Sequence, residues 1–384
     1  MSRVSFLLAV VIAALAGTSA PIQAAPVPAD QPKVDLVLCI DVSNSMDGLI
    51  DSAKLKLWDV VNELAKMKPT PELRVGLYSF GHNDYSAKDG WVRKDLDLTT
   101  DLDEVYAKLT ALKTRGGSEL VARVTKAALT EQKWADGKNA LKLVFVCGNE
   151  AVDQDKEVSL SDAAKLAKDK GVFVNTIYCG NDGGAEANGW KDFAVQGGGK
   201  YSSIDQERAR KTSVVSATPY DKQLAELSGK LNSTYVAYGA EGLKKAENQV
   251  AQDKNAAAAA PAAAAGRAAS KAGDLYRNSS WDLIDKMKDD PKFDLKSIKE
   301  EDLCDELKKL KAEDRLPFLK KKAEERAAIQ KEIGELSVKR SKHIEVESKK
   351  QPQSAGEKAF DEALRGTIRE QAKAKGLEAP VEKK

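Results

Sequence analysis

Asp41, Ser43 and Ser45 put an oxygen-bearing side chain at every second position of one short loop, Asp41-Val42-Ser43-Asn44-Ser45. A tight loop with that spacing can aim three hard ligands at one point. Carboxylate and hydroxyl oxygens are what Mg²⁺ or Ca²⁺ prefer, and Mg²⁺ usually keeps several of its waters. The same residues have a purely local use: Asp41 and Ser43 can hydrogen-bond the loop and cap the helix that follows. The setting favours a ligand site, because the loop closes a hydrophobic strand and precedes a long helix.

The elements that must position this loop are readable from periodicity. Val34 to Ile40 is nearly continuous in apolar residues, as a buried strand is. Leu49 to Lys68 carries Leu49, Ile50, Ala53, Leu57, Val60, Val61, Leu64 and Met67 at helical spacing, stopped by Pro69 and Pro71. Leu73 to Phe80 is the next strand, and Trp91 to Leu98 alternates more loosely, as an edge strand does. Helices are expected from Thr100-Asp101-Leu102-Asp103-Glu104, which carries capping chemistry at its start, and over Glu119 to Trp134 and Leu160 to Lys170. Strands are expected at Leu141 to Cys147, Gly171 to Cys179 and Gly199 to Ile204. Alternation of this kind predicts a doubly wound, mostly parallel six-stranded α/β sheet flanked by helices over residues 34–205. Such sheets bind ligands beyond the carboxyl ends of their strands, where strand order reverses.

After residue 205 the texture becomes helical and charged. Residues 206–255 read as a helical extension, with Leu224, Leu227, Leu231 and Val236 on the run from Tyr220 to Gln252. Residues 256–273 are alanine-rich and broken by Pro261 and Gly266, which predicts a hinge or partly helical linker. Residues 274–350 form a charged helical region, with a short helix at Ser280 to Asp285. A longer one at Pro317 to Ile344 has Ile329, Ile333 and Leu336 on one face. That seam is too short for a coiled coil and predicts a surface helix held by one stripe. Residues 351–384 are polar and Lys-rich, a tail expected to be mobile.

The strand ending in Asp41-x-Ser43-x-Ser45, with Met46 next, resembles the first motif of von Willebrand factor A-type domains, and the order of strands and helices over 34–205 resembles that family's fold. In the family this motif forms a metal-ion-dependent adhesion site. The resemblance implies Mg²⁺ (or Mn²⁺ or Ca²⁺) held by the hydroxyls, with aspartates acting largely through water. It also implies a protein partner that presents an acidic residue to the metal. Ser118, in Arg115-Gly116-Gly117-Ser118-Glu119, stands where the family's second motif has a Thr. The third motif is an Asp ending the fourth main strand, and here the strand ends Val146-Cys147-Gly148-Asn149-Glu150, with Gly148 in that place. The departure implies a weaker site, since outer partners tune metal affinity by roughly 10–100-fold. Asn149, Glu150 or Asp153 could supply the missing oxygen, with Glu150 preferred as the nearest downstream carboxylate. The expected metal set is therefore Asp41, Ser43, Ser45, Ser118 and Glu150. Loops at Gly81 to Tyr85 and Gly180 to Asn188, with Trp91, would border it.

Composition narrows the alternatives. Lys plus Arg (61) nearly cancels Asp plus Glu (59), so nothing draws the chain to nucleic acid. Two histidines, His82 and His343, exclude a multi-His zinc site, and no nucleophile elbow, phosphate loop or HExxH occurs. The expectation is a binding protein, not an enzyme. Arg3, the apolar run from Val4 to Ala16 and the small residues to Ala25 read as a signal peptide over residues 1–25. The chain is thus expected to be exported, to a periplasm or beyond, with no later anchor. Cys39, Cys147, Cys179 and Cys304 are too sparse for a disulfide framework and read as buried thiols. A Cys147–Cys179 bridge remains open, because both residues end strands in the same way. The alternative from another class is a cation-independent scaffold acting in the cell envelope through its helical C-terminal region.

Overall fold

The structure is a computed structural model that describes residues 31–46, 50, 58, 60–137, 139–204, 218–350 and 365–378. Six strands form one sheet: β1 (Lys33–Asp41), β2 (Glu72–Phe80), β3 (Val92–Thr99), β4 (Leu141–Gly148), β5 (Phe173–Tyr178) and β6 (Gly198–Ser203). Their order is β3-β2-β1-β4-β5-β6, parallel except for β3, which runs antiparallel along the edge beside β2. β1 lies centrally, so its side chains are buried on both faces, as its unbroken apolar run requires. Leu36 and Ile40 enter one core and Val37 and Cys39 the other, the two-residue alternation of a strand. Asp35 interrupts the run without cost because Arg74 donates to both its oxygens (2.8 and 2.7 Å).

Helical residues 60–65 (α1), α2 (Leu102–Ala111), α3 (Val121–Glu131), α4 (Leu160–Asp169) and α5 (Ala185–Gln196) cover the sheet. Asp101 caps α2 by accepting from the amides of Asp103 and Glu104, and Ser159 caps α4. From β1 the chain moves outward to β2 and β3, then returns to place β4 on the other side. Strand order therefore reverses between β1 and β4, and the carboxyl ends of those strands carry Asp41 and Gly148.

The longer helices among the remaining described residues are α6 (Asp221–Asn232), α7 (Gly242–Ala259), α8 (Pro261–Ala272), α9 (Leu283–Asp289), α10 (Ala312–Lys350) and α11 (365–373). The alanine-rich stretch corrects the expectation of a linker. Pro261 is the first residue of α8, where its missing N–H costs nothing, and Ala263, Ala265 and Ala268 are buried. Small side chains let α8 come close to α1: the Gly266 carbonyl accepts from Asn62 Nδ2 at 3.0 Å. Part of the expected tail is also ordered. Residues 365–378 place Ile368, Ala372 and Leu377 in the same core as β1, and Glu378 exchanges backbone hydrogen bonds with Lys68. α10 runs 39 residues and buries Ile333 and Leu336 against Leu224, Leu227 and Leu231 of α6, a single-stripe packing as its sequence predicts. Each such burial contributes about 1.5–3 kcal/mol. No helix of the described residues is long and apolar enough to cross a membrane. The expected signal peptide lies outside the described residues, as do residues 49, 51–57 and 59 of the helix expected at 49–68.

Candidate functional site

Three loops meet beyond the carboxyl ends of β1 and β2. The Val42 amide donates to the Phe80 carbonyl (2.9 Å), the Arg115 amide to the Val42 carbonyl (2.9 Å), and the Asn83 amide to the Arg115 carbonyl (3.1 Å). Asn44 Oδ1 accepts from the Gly116 amide at 2.7 Å, tying the first loop to the Gly-rich one. These bonds use up backbone groups that would otherwise be orphaned and fix the side chains between them.

Asp41 is fully buried at the end of β1. Its Oδ1 accepts from the Ser43 amide at 2.7 Å, the local turn its sequence allows. Its Oδ2 is buried and has no hydrogen-bond donor among the described residues. Beside it lies the carboxyl group of Glu119, only 2% exposed, with Ser43 and the backbone of Glu150 also against Glu119. Burial pushes the Asp41 carboxyl well above the usual carboxylate range, and the neighbouring Glu119 pushes it further. Glu119 is raised too, first by burial and then by the charge of Glu150, against the lowering contacts of Asp41 and Ser43. Two buried carboxyl groups in contact cannot both ionise cheaply, so a proton or a cation must compensate them.

Gly81 makes the meeting possible. Its φ of 79° suits glycine, and a Cβ there would lie 2.9 Å from Asp41 Oδ1 and 3.2 Å from Glu119 Cγ. Across the site, a Cβ at Gly148 would lie 3.4 Å from Asp41 Oδ2 but 2.9 Å from Trp190 Cη2. The indole fills the space into which a side chain at 148 would grow, and its Nε1 donates to the Glu150 carbonyl at 2.8 Å.

The expected residues are therefore unequally placed. Asp41 and Ser43 are buried together; Ser45 lies in the 3-10 turn Asn44–Met46, and Ser118 is half-buried in the loop before α3. Glu150, by contrast, is exposed, and its carboxylate accepts from Gln154 Nε2 at 3.1 Å. The carboxylate packed against Asp41 belongs to Glu119. Only its adjacency to Ser118 could have flagged it in the sequence, because a Glu at a helix start is ordinarily read as capping and dipole compensation.

Among the described residues no three His, Cys, Asp or Glu side chains are grouped to hold a metal. Two carboxylates with serine hydroxyls are nonetheless an all-oxygen set. Such a set suits a hard divalent cation that keeps waters, and does not suit a zinc site of imidazoles and thiolates. The orphaned Asp41 Oδ2 is the observation that fits a bound cation.

The rim is aromatic and charged. His82 stacks on Tyr85 with centroids 4.7 Å apart, the Arg93 guanidinium lies over the Tyr85 ring at 4.4 Å, and Arg115 pairs with Asp84 at 2.7 Å. Trp91 adopts φ 52°, uncommon for a bulky residue, and its carbonyl accepts from the Gly81 amide. The cysteines form no bridge. Cys147 is level with Ile177, so Cys179 lies two positions farther along the chain, just past the end of β5, and all four cysteines are free thiols. Burial, with the charge of Asp41, pushes the Cys147 thiol up to about 12, which argues against a nucleophile.

No curated protein matches the chain. Solved structures similar to part of it include proximal thread matrix protein 1 from the mussel byssus, at 13% identity and a TM-score of 0.35, covering 47% of this chain and 43% of that one. The same mussel protein has been solved with a zinc-occupied MIDAS motif. Another is the SpRpn10 VWA domain, at 19% identity and a TM-score of 0.34, covering 45% of this chain and 88% of that one. A von Willebrand factor type A structure from Catenulispora acidiphila has 15% identity and a TM-score of 0.35, covering 47% of this chain and 41% of that one. The match spans under half of the mussel protein's length. The family model for the von Willebrand factor type A domain matches residues 35–193, which run from within β1 to beyond β5 and include the loops of the site. Residues 35–193 of this chain are a von Willebrand factor type A domain.

Proposed function

We propose that the chain recognises a protein partner through a divalent cation, Mg²⁺, Mn²⁺ or Ca²⁺, held where the loops after β1 and before α3 meet. The observation that carries this reading is the buried Asp41 Oδ2, which has no donor among the described residues, on a carboxyl group packed against the second buried carboxyl group of Glu119. Asp41, Ser43 and the neighbouring serines Ser45 and Ser118 would hold the cation, with water completing its shell. The cation supplies a positive centre that few protein charges neutralise, so an acidic side chain of the partner is the complementary ligand. The stacked His82 and Tyr85, with Arg115, border the site and would select among partners. Export fits the amino-terminal sequence, and sequencing the first residues of the mature protein tests it: a start near Pro26 supports export, and an intact Met1 contradicts it.

Thermal unfolding in EDTA and in millimolar Mg²⁺, Mn²⁺ or Ca²⁺ tests the cation. Binding to the folded state alone raises Tm by mass action. Coincident unfolding curves in all four conditions would remove the cation from the account.

The scaffold alternative has one observation in its favour. Leu243 (66% exposed) and Val250 (39%) form an exposed apolar stripe on α7 with Ala246 and Ala251. Truncation after residue 205 would not isolate that activity, because Ala256, Ala263, Tyr276 and Ile368 belong to the core of the α/β domain. A Leu243→Glu/Val250→Glu variant is the cleaner probe. Partner capture that survives it and still needs cation supports the metal site over the scaffold.

A further inference from the structure

The side chain that Gly148 lacks has a replacement on the opposite wall of the site. We infer that Glu119 supplies the second carboxylate of the cation site, entering from the start of α3, where the resemblance leads one to expect a carboxylate from the end of β4. The inference rests on the cation reading above and names a residue in it.

Three observations converge. Position 148 is closed to any side chain, because Trp190 Cη2 would stand 2.9 Å from its Cβ and the indole is anchored by its bond to the Glu150 carbonyl. Asp41 Oδ2 faces that closed side and has no donor among the described residues. Glu119 is 98% removed from solvent and lies against Asp41 and Ser43, the two residues at the heart of the first motif. A carboxylate is buried in such company only when something positive or a proton compensates it. Among the described residues no Lys or Arg is paired with Glu119 or Asp41; the ion pairs nearby are Arg115 with Asp84 and Arg123 with Asp155. Gly81, with no side chain and a positive φ, leaves the room in which the two carboxyl groups meet. Glu150, one strand-end away, is solvated and already engaged by Gln154, so it serves as an internal control.

The role makes a signature that a merely structural Glu would not produce. Without cation, two buried carboxyl groups in contact disfavour one another's ionisation, and a neutral amide at 119 removes that conflict, so Glu119→Gln should leave the metal-free protein as stable as the parent or more so. With cation, the same variant loses a ligand or a partner of a bound water, which weakens affinity by roughly 10–100-fold. Stability and affinity then move in opposite directions.

The experiment is Mn²⁺ binding followed by electron paramagnetic resonance of free Mn²⁺, on the full chain and on Glu119→Gln, Glu119→Asp and Glu150→Gln, with metal-free thermal unfolding of each. The expected result is saturable binding by the parent and by Glu150→Gln. Binding should be at least tenfold weaker in Glu119→Gln, at equal or higher metal-free Tm, and partly restored in Glu119→Asp. Parent-like binding by a folded Glu119→Gln overturns this inference and leaves the cation site standing. No binding by the parent overturns the cation site itself, and the role of Glu119 with it. A Glu119→Gln variant that loses both Tm and binding, with Glu119→Asp likewise, assigns Glu119 a structural role and overturns the inference.

Discussion

Arg267 of α8 and Asp103 of α2 form an ion pair at 2.7 Å between the helical region and the α/β domain, both side chains almost wholly buried. The contact is a charge pair rather than an aligned hydrogen bond, and it does not stand alone. Arg267 Nε also donates to Asp253 at 2.5 Å, the guanidinium covers Trp58 at 5.0 Å, and Tyr276 donates to the second oxygen of Asp103. The helices after residue 218 are therefore part of the domain's hydrophobic and ionic structure, and the site loops are held by a body larger than the family domain alone.

Breaking that pair leaves a buried charge without compensation. Asp103→Ala is expected to destabilise the chain by about 3–5 kcal/mol in urea unfolding, since removing one partner of a buried pair costs far more than the pair contributes net. A loss under ~1 kcal/mol would show that the interface is hydrated in solution.

Lys271 gives the pH dependence. Burial lowers its ammonium to about 8, against the pull of Asp253 at 2.9 Å. Below that value both folded and unfolded chains carry the proton. Between about 8 and the ordinary 10.5 only the unfolded chain does, so this group makes stability rise with pH through that window and adds nothing beyond it. The gain amounts to about 3 kcal/mol at ~1.4 kcal/mol per unit. Comparing urea midpoints at neutral and alkaline pH should show this rise in the parent and not in Lys271→Met, other titrations cancelling in the difference.

Restoring the expected aspartate should not restore the site. Gly148→Asp drives a Cβ into Trp190 at 2.9 Å and adds a charge near the orphaned Asp41 oxygen. The expectation is a loss of about 1–3 kcal/mol from overpacking with no gain in Mn²⁺ affinity. Tighter binding by a stably folded Gly148→Asp would mean that Trp190 yields readily.

Thiol counting on denatured, unreduced protein is expected to return four thiols. The register of β4 against β5 sets Cys147 beside Ile177, and two residues of strand separate it from the level of Cys179. Two thiols in place of four would contradict this register.

How much of this was legible depends on which force decided each element. β1, β2 and β4 are buried on both faces, so their apolar runs announced them, and the loop at Asp41 followed from the strand that ends there. The alanine-rich stretch misled because Pro261 reads as a breaker inside a run, yet it opens α8, and because alanine shows no stripe to mark a buried face. Arg267 and Lys271 read as solvated charges; only the fold supplies Asp103 and Asp253. Glu119 was hidden for a similar reason. Its partner Asp41 lies 78 positions earlier, and no local pattern distinguishes a ligand from a helix-start carboxylate. The bridge between Cys147 and Cys179 looked available because matching sequence contexts do not fix register.

The central claim is that the loops at Asp41 and Ser118 hold a divalent cation. Calorimetric titration of Mg²⁺ and Mn²⁺ into the full chain, beside a Ser43→Ala/Ser45→Ala variant, tests it most directly. The account predicts saturable binding to one site per chain that vanishes in the variant while its fold, followed by circular dichroism, is retained. Absence of heat in the parent up to millimolar cation, or equal binding in both proteins, would contradict it.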